Sequence, residues 1–242
     1  MDRRDPQFLH CADLQTASDA AAHEIAGTLI DAVEARSTAT LVLAGGSTPR
    51  SIFARLADPR LWPSPLWPRV HLFWGDERCV PPDDVASNYA MARAALLDRI
   101  EIPPENIHRV RGELPPPEAA ARYEAELRRH FGDGRPPIFD CLMLGMGADG
   151  HTASLFPGDP LLDETVRWVG STDGLHASPP VPRVSLTLPV LNAARKVVFA
   201  VSGEDKRCVA REIEDRAVGS QRYPAARIRC AGSTLWFVAA GS

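Results

Sequence analysis

Four short apolar runs, each broken by glycine or serine and followed by a polar loop, constrain this chain more than any other feature. They are "LVLA" before "GGSTPR", "HLFW" before "GDER", "LMLG" before "MGADGH" and "FAVS" before "GEDK". Apolar runs of this length, with no polar alternation, read as strands buried on both faces. Around them the pattern changes to that of helices. Residues 17 to 36 space Ile25, Leu29, Ile30 and Val33 at helical intervals. A second helix is expected from Pro49 through "RSIFARLA", and Ser87 suits the N-cap of "NYAMARAALLDRI". Residues 115 to 131 predict a further helix, acidic early and basic late as the helix dipole favours, and "KRCVAREIED" predicts another. "VRWVGS", "RVSLTLP" and "TLWFVAA" add three strands. The alternation predicts an α/β fold: a mostly parallel sheet with helices on both faces, in one domain over residues 1–242.

In an open α/β sheet, ligands bind beyond the carboxyl ends of the parallel strands. If the four runs are parallel, their loops share one rim. Each loop still admits two readings. Gly45, Gly46, Ser47 and Thr48 form either an anion cradle at a helix start or a tight turn with a hydroxyl cap. No G-K-[S/T] follows, so the loop is not a Walker A motif. Asp76, Glu77 and Arg78 are either a solvated loop with a local ion pair or part of a site at a strand end. Lys206, beside Arg207, is expected to start a helix, where a cation opposes the dipole; a bound anion or plain solvation would account for it. Of the 27 basic residues only Lys196 and Lys206 are Lys, which adds a little weight to the first. Arg183, opening the "RVSLTLP" strand, is a surface charge or a two-pronged phosphate clamp.

The loop at residues 145 to 151 holds Gly145, Gly147 and Gly150 in G-x-G-x-x-G spacing, the signature of a dinucleotide cradle. Such a cradle must feed a long crossover helix. Here Pro157, Gly158 and Pro160 would stop a helix after about two turns, so the cofactor reading fails. What remains is Asp149 and His151, which a dinucleotide loop does not need. Imidazole titrates near neutrality, and a carboxylate two residues away can orient it, so His151 is the candidate general base. A capping or packing histidine is the alternative. His23, His71, His108 and His130 fall within predicted elements or at their edges and read as structural or surface residues.

The totals exclude several classes. A formal charge of −4 and a pI near 6.0 argue against nucleic acid or anionic membrane as a partner, yet allow a small basic pocket. Five widely spaced cysteines without a C-x-x-C pair support neither a zinc ribbon nor a disulfide framework, and fit idle thiols in a reducing cytoplasm. "MDRRDPQFLHCADLQ" lacks the apolar core of a secretory signal, and no run of 18 apolar residues occurs. There is no G-x-S-x-G elbow and no H-E-x-x-H pair. No cofactor or metal is expected.

With these residues assembled, the chain resembles the 6-phosphogluconolactonase family. "LAGGSTPRSIF", "FWGDERCVP", "SNYAMA", "LGMGADGHTASLFPG" and "RVSLTLPVLN" match its blocks in order, across nearly the whole chain, and "VSGEDK" matches a shorter one. One departure is "PPDDVASN", where many relatives carry a His before Ser-Asn. The resemblance implies the fold shared with glucosamine-6-phosphate isomerases, ribose-5-phosphate isomerases and CoA transferases. It also implies hydrolysis of a phosphorylated sugar lactone, 6-phospho-D-glucono-1,5-lactone, in the pentose phosphate pathway, by a cytoplasmic monomer or small homo-oligomer. On this reading His151 activates water, Asp149 orients it, and Arg78 and Asp76 set the reacting end. Gly45, Gly46, Ser47 and Thr48 line the pocket, and Arg183 and Lys206 hold the phosphate. Related glucosamine-6-phosphate deaminases carry a Glu five residues after this His, where the present chain has Phe156. A phosphosugar-binding regulator without catalysis is the reading from another class.

Overall fold

The computed structural model describes residues 5–60, 66–175 and 177–240. The first four residues of the N-terminal stretch read above, and the two ends of the expected 1–242 domain, lie outside the described residues.

Seven strands form one sheet in the order β1 (Gln7–Cys11), β10 (Ser233–Ala239), β9 (Lys196–Val201), β6 (Cys141–Leu144), β2 (Ala39–Leu43), β3 (Val70–Trp74) and β5 (Ile107–His108). Every pairing in it is parallel. The four apolar runs are β2, β3, β6 and β9, which are contiguous across the centre, so their carboxyl ends open onto one rim as expected. All of β2 and β6 is buried, which is why neither alternates polar with apolar residues. Edge strands β1 and β5 had no such signal. β1 alternates weakly and is largely exposed, and β5 has only two residues.

Among the described residues six α-helices accompany the sheet: α1 (Leu14–Arg36), α2 (Ser47–Leu56), α3 (Asn88–Ala95), α4 (Pro116–Phe131), α5 (Leu188–Leu191) and α6 (Glu204–Glu214). α1 buries Ala21, Ile25, Leu29 and Val33 along one face, and Asp13 caps it by accepting from Thr16 N at 2.7 Å. Ser87 caps α3 as anticipated, its Oγ accepting from Ala90 N at 3.1 Å. α2 begins at Ser47, two residues before the expected Pro49, and α6 begins at Glu204, so Lys206 is its third residue. No described helix is long and apolar enough to cross a membrane.

A second sheet was not anticipated. β4 (Asp76–Arg78), β8 (Arg183–Leu186) and β7 (Val169–Thr172) pair antiparallel in the order β4-β8-β7. "VRWVGS" and "RVSLTLP" therefore do form strands, but in this small sheet rather than the large one. The charged "DER" tripeptide reads as a loop, yet its backbone pairs with β8, and Gly75 turns the chain from one sheet into the other. The Gly75 carbonyl accepts from Leu186 N at 2.8 Å at that corner.

Candidate active site

Beyond the ends of β2, β3, β6 and β9 lies a cavity of about 170 Å³. Gly45, Gly46, Ser47, Thr48, Asp76, Arg78, His151, Arg183 and Lys206 all line it. Asp149 does not; it stands behind His151 and contacts the ring.

The loop after β6 aims the imidazole. Gly147 N donates to the His151 carbonyl at 3.0 Å, and Gly150, at φ +78°, closes the turn with its N donating to the Gly147 carbonyl. A Cβ on Gly147 would stand 2.2 Å from His151 Nδ1 and 2.5 Å from Asp149 Oδ1, so this glycine makes room for the pair. His151 Nδ1 is 2.6 Å from Asp149 Oδ1. An ionised carboxylate only accepts, so the ring proton belongs on Nδ1 and Nε2 keeps its lone pair. Burial pushes the Asp149 carboxyl up, but the hydrogen bond and charge of His151 outweigh it and hold the group below the usual carboxylate range. Phe156 lies under the ring, with centroids 4.5 Å apart. No α-helix follows this loop, in keeping with the failed dinucleotide pattern.

The turn after β3 supplies the buried charges. Asp76 is 6% exposed; its Oδ2 accepts from Ser154 Oγ at 2.7 Å and lies 4.0 Å from Arg183 Nη1. Arg183, expected at the surface if taken alone, is 3% exposed. Its Nη2 donates to the carbonyls of Ser178 and Pro179 at 3.1 and 3.2 Å. Burial lowers its pKa, Asp76 opposes that change, and neighbouring Arg78 reinforces it. Arg78 Nη1 donates to the Ala86 carbonyl at 2.5 Å, so the residue just before Ser87 and Asn88 is used through its backbone.

Glu77 faces the opposite way and organises the start of α3. Its carboxylate accepts from Arg78 N, Asn88 N and Tyr89 N at 2.7, 2.7 and 2.8 Å, and from Ser87 Oγ at 3.1 Å. Burial still leaves its pKa raised, although those donors pull it down.

Two helices end at the cavity without side-chain caps. Gly46 precedes α2 and Gly203 precedes α6, and neither can cap through a side chain. Their first-turn N–H groups suit an anion, with Lys206 beside them. No ion pair holds Lys206 among the described residues. Thr48 Oγ1 and Ser202 Oγ, 2.8 Å apart, join the two helix starts.

Three residues here escaped sequence reasoning. Asn88 Nδ2 donates to the Asp76 carbonyl at 2.9 Å, and a Cβ on Gly45 would stand 2.0 Å from Asn88 Oδ1, so Gly45 and Asn88 are matched in shape. Ser154 supports Asp76, and Ser202 meets Thr48. Small polar residues inside the blocks that carry the family resemblance were the available signal, but their partners are distant in sequence. Buried polar atoms without partners, Arg78 Nε, Arg183 Nε and Asn88 Oδ1, concentrate here too. Such atoms are costly in a dry interior and fit a site that receives a polar ligand.

Known proteins share this architecture. The family described as glucosamine-6-phosphate isomerases/6-phosphogluconolactonase matches residues 12–236. A 6-phosphogluconolactonase from Nostoc sp. is 39% identical over 234 residues, covering 94% of this chain and 93% of that protein. The Homo sapiens 6-phosphogluconolactonase is 41% identical over 208 residues, covering 84% of this chain and 79% of its own. The crystal structure of 6-phosphogluconolactonase from Thermotoga maritima superposes with a TM-score of 0.85 at 33% identity, covering 97% of this chain and all 100% of that one. A monomeric glucosamine-6-phosphate deaminase, at 19% identity and a TM-score of 0.77 with 97% of each chain covered, shares the fold. The chain belongs to the glucosamine-6-phosphate isomerase/6-phosphogluconolactonase family, and within it to the 6-phosphogluconolactonases.

Proposed function

We propose that this cavity hydrolyses 6-phospho-D-glucono-1,5-lactone to 6-phospho-D-gluconate, the lactonase step of the oxidative pentose phosphate pathway, with His151 as general base. The observation that carries the reading is the oriented His151–Asp149 pair facing a cavity that also holds Arg78, Arg183 and Lys206. A sugar ring with an anionic tail suits that lining: an oriented base for the lactone carbon, and cations with uncapped helix N-termini for the developing and fixed negative charge.

The lactone is already an activated ester, so no protein nucleophile is required. His151 Nε2 takes a proton from water while the oxygen attacks C1, giving a tetrahedral oxyanion. Arg78 stands where it can stabilise that charge. The carbonyl re-forms as the ring C1–O5 bond breaks, and the imidazolium returns its proton to O5, leaving a neutral imidazole and a carboxylic acid that loses its remaining proton to solvent as the carboxylate product. Asp149 holds the tautomer and offsets the transient imidazolium. Lys206, the uncapped starts of α2 and α6 and Arg183 form the phosphate end.

A ring-opening isomerase or deaminase on this fold is disfavoured by Phe156. It packs its aromatic ring against His151 at the position where the resemblance to glucosamine-6-phosphate deaminases implies a Glu, the extra acid for ring opening. The test is to generate the lactone in situ and follow its loss above spontaneous decay. Accelerated loss that disappears in His151→Ala supports the assignment. Binding of 6-phosphogluconate with decay left at the spontaneous rate would make the chain a binding module instead.

A further inference from the structure

Away from the lactone cavity, three histidines converge on the β3–β5 flank of the large sheet. His71 lies in β3, His108 ends β5, and His130 sits in the last turn of α4. His71 Nδ1 is 3.1 Å from His108 Nε2, and one ring nitrogen from each of the three lies within 4.8 Å of the other two. The rings meet with centroids 4.7 to 5.3 Å apart.

A carboxylate stands behind them. His108 Nδ1 is 2.6 Å from Glu126 Oε1, and Glu126 is itself held by Arg129 Nη2 at 2.5 Å. Because an ionised carboxylate only accepts, the His108 proton belongs on Nδ1, and the Nε2 lone pair points into the cluster. A carboxylate that orients an imidazole in this way is the usual outer partner of a metal-binding histidine. Aromatic packing fixes the rings: Phe73 stacks on His108 at 4.3 Å, and Phe131 meets His130 at 4.7 Å.

We propose that His71, His108 and His130 bind a divalent ion of the zinc type, with Glu126 as the outer carboxylate. Imidazole donors suit zinc, copper and nickel over magnesium or calcium. Zn–N bonds of about 2.0–2.1 Å in a tetrahedron place ligand nitrogens roughly 3.3 Å apart. The His71–His108 pair already has that spacing, and the His130 nitrogen, within 4.8 Å of both, closes in on binding. Three protein ligands leave one position for water. Access runs from a separate surface depression of about 650 Å³ lined by His108, Glu126 and Arg129. Of the other arginines on its wall, Arg109 pairs with Glu113 and Arg122 with Glu118, and Arg111 makes no ion pair among the described residues. None of the three histidines lines the lactone cavity, so the ion would pin edge strand β5 to α4 rather than take part in hydrolysis. The ligands come from two strands and a helix, 37 and 22 residues apart in the chain, which is why no compact motif announces them.

The test is calorimetric titration of Zn²⁺ into chelator-treated, full-length protein, paired with thermal unfolding and Co²⁺ absorption. The expected result is one ion per chain that survives His151→Ala. Affinity falls at least ~100-fold in His71→Ala and His130→Ala, and ~10–100-fold in Glu126→Gln. A hundredfold excess over Kd raises Tm by roughly 5–10 °C in the parent chain and not in the histidine variants. Co²⁺ gives the intense visible bands of a tetrahedral site, and they vanish in His130→Ala. Undiminished Zn²⁺ binding in both histidine variants overturns the proposal. So does binding abolished by His151→Ala alone, or no binding at all. Circular dichroism of every variant, together with lactone turnover of His71→Ala, His130→Ala and Glu126→Gln, establishes that the fold is intact.

Discussion

Ser154 and Asp76 join two strand ends that lie 78 residues apart, the Ser154 hydroxyl donating to Asp76 Oδ2 at 2.7 Å. Ser154 sits three residues beyond His151, and its own N accepts the support of Ser185 Oγ by donating to it at 3.2 Å. The loop that carries the base is thus moored to the turn after β3 and to the small sheet. Ser154→Ala leaves a buried carboxylate oxygen short of a donor. Stability should fall by about 1–3 kcal/mol, read by urea unfolding, and lactone turnover should fall less than in His151→Ala.

Gly147 has a sharper role. A methyl there would stand 2.2 Å from His151 Nδ1, inside any permitted contact, so Gly147→Ala must displace the ring or its Asp149 partner. Loss of a placed general base costs about 10²–10⁴ in rate. Turnover should drop within that range while the melting temperature moves little, because the loop lies at the rim of the core. Near-normal turnover in this variant would remove His151 from the proposed role.

Glu77 predicts the reverse pattern. At 2% exposure its carboxylate takes two backbone N–H groups and one hydroxyl at the start of α3, and the N–H of neighbouring Arg78. Glu77→Ala strands those donors in the interior, each costing about 1–3 kcal/mol. The variant should lose about 3 kcal/mol or more by chemical denaturation. Activity should fall with it, since Asn88 N bonds Glu77 while Asn88 Nδ2 bonds the Asp76 carbonyl.

Lys206 separates binding from chemistry. It lines the cavity at the start of α6, which Thr48 Oγ1 and Ser202 Oγ tie to the start of α2. Lys206→Ala should raise KM for the lactone by roughly 10- to 100-fold, the worth of a charge-assisted hydrogen bond of about 1.5–3 kcal/mol, with a smaller change in kcat. Steady-state kinetics on lactone generated in situ would read both. An equal loss in kcat would place Lys206 at the reacting end instead.

Much of this site is readable from the chain because its parts sit at the ends of buried strands, where apolar runs stop at glycine and polar residues begin. The four central strands and their shared rim follow from that punctuation. What stays hidden depends on pairing across distance. "DER" is too polar to resemble a strand, and only its pairing with β8 makes it one. Arg183 reads as a surface charge because burial of an arginine depends on partners such as Asp76 and the Ser178 and Pro179 carbonyls. Asn88 reads as an ordinary first-turn residue until Gly45 is seen against it. The histidine cluster is invisible for the same reason: β3, β5 and α4 meet only in the fold.

Asp149 fixes how activity should depend on pH. Its carboxyl is held below the ordinary range, with the His151 hydrogen bond and charge overcoming the opposing effect of burial. For an acid with a depressed folded pKa, the stabilising contribution is present above the unfolded value and is lost as pH falls through the folded one. Between about pH 5 and 8, where imidazole titrates, Asp149 therefore stays ionised and contributes no pH dependence of its own. Across that window Asp149 should add no inflection of its own to kcat/KM, and the stability it contributes should be lost only at more acid pH. In Asp149→Asn the amide offers a donor as well as an acceptor, so the tautomer that leaves Nε2 free is no longer imposed and turnover should fall at neutral pH. A pH series of turnover and of urea unfolding on both proteins reads the two effects separately. Unchanged turnover in Asp149→Asn would break the link between this pair and the chemistry.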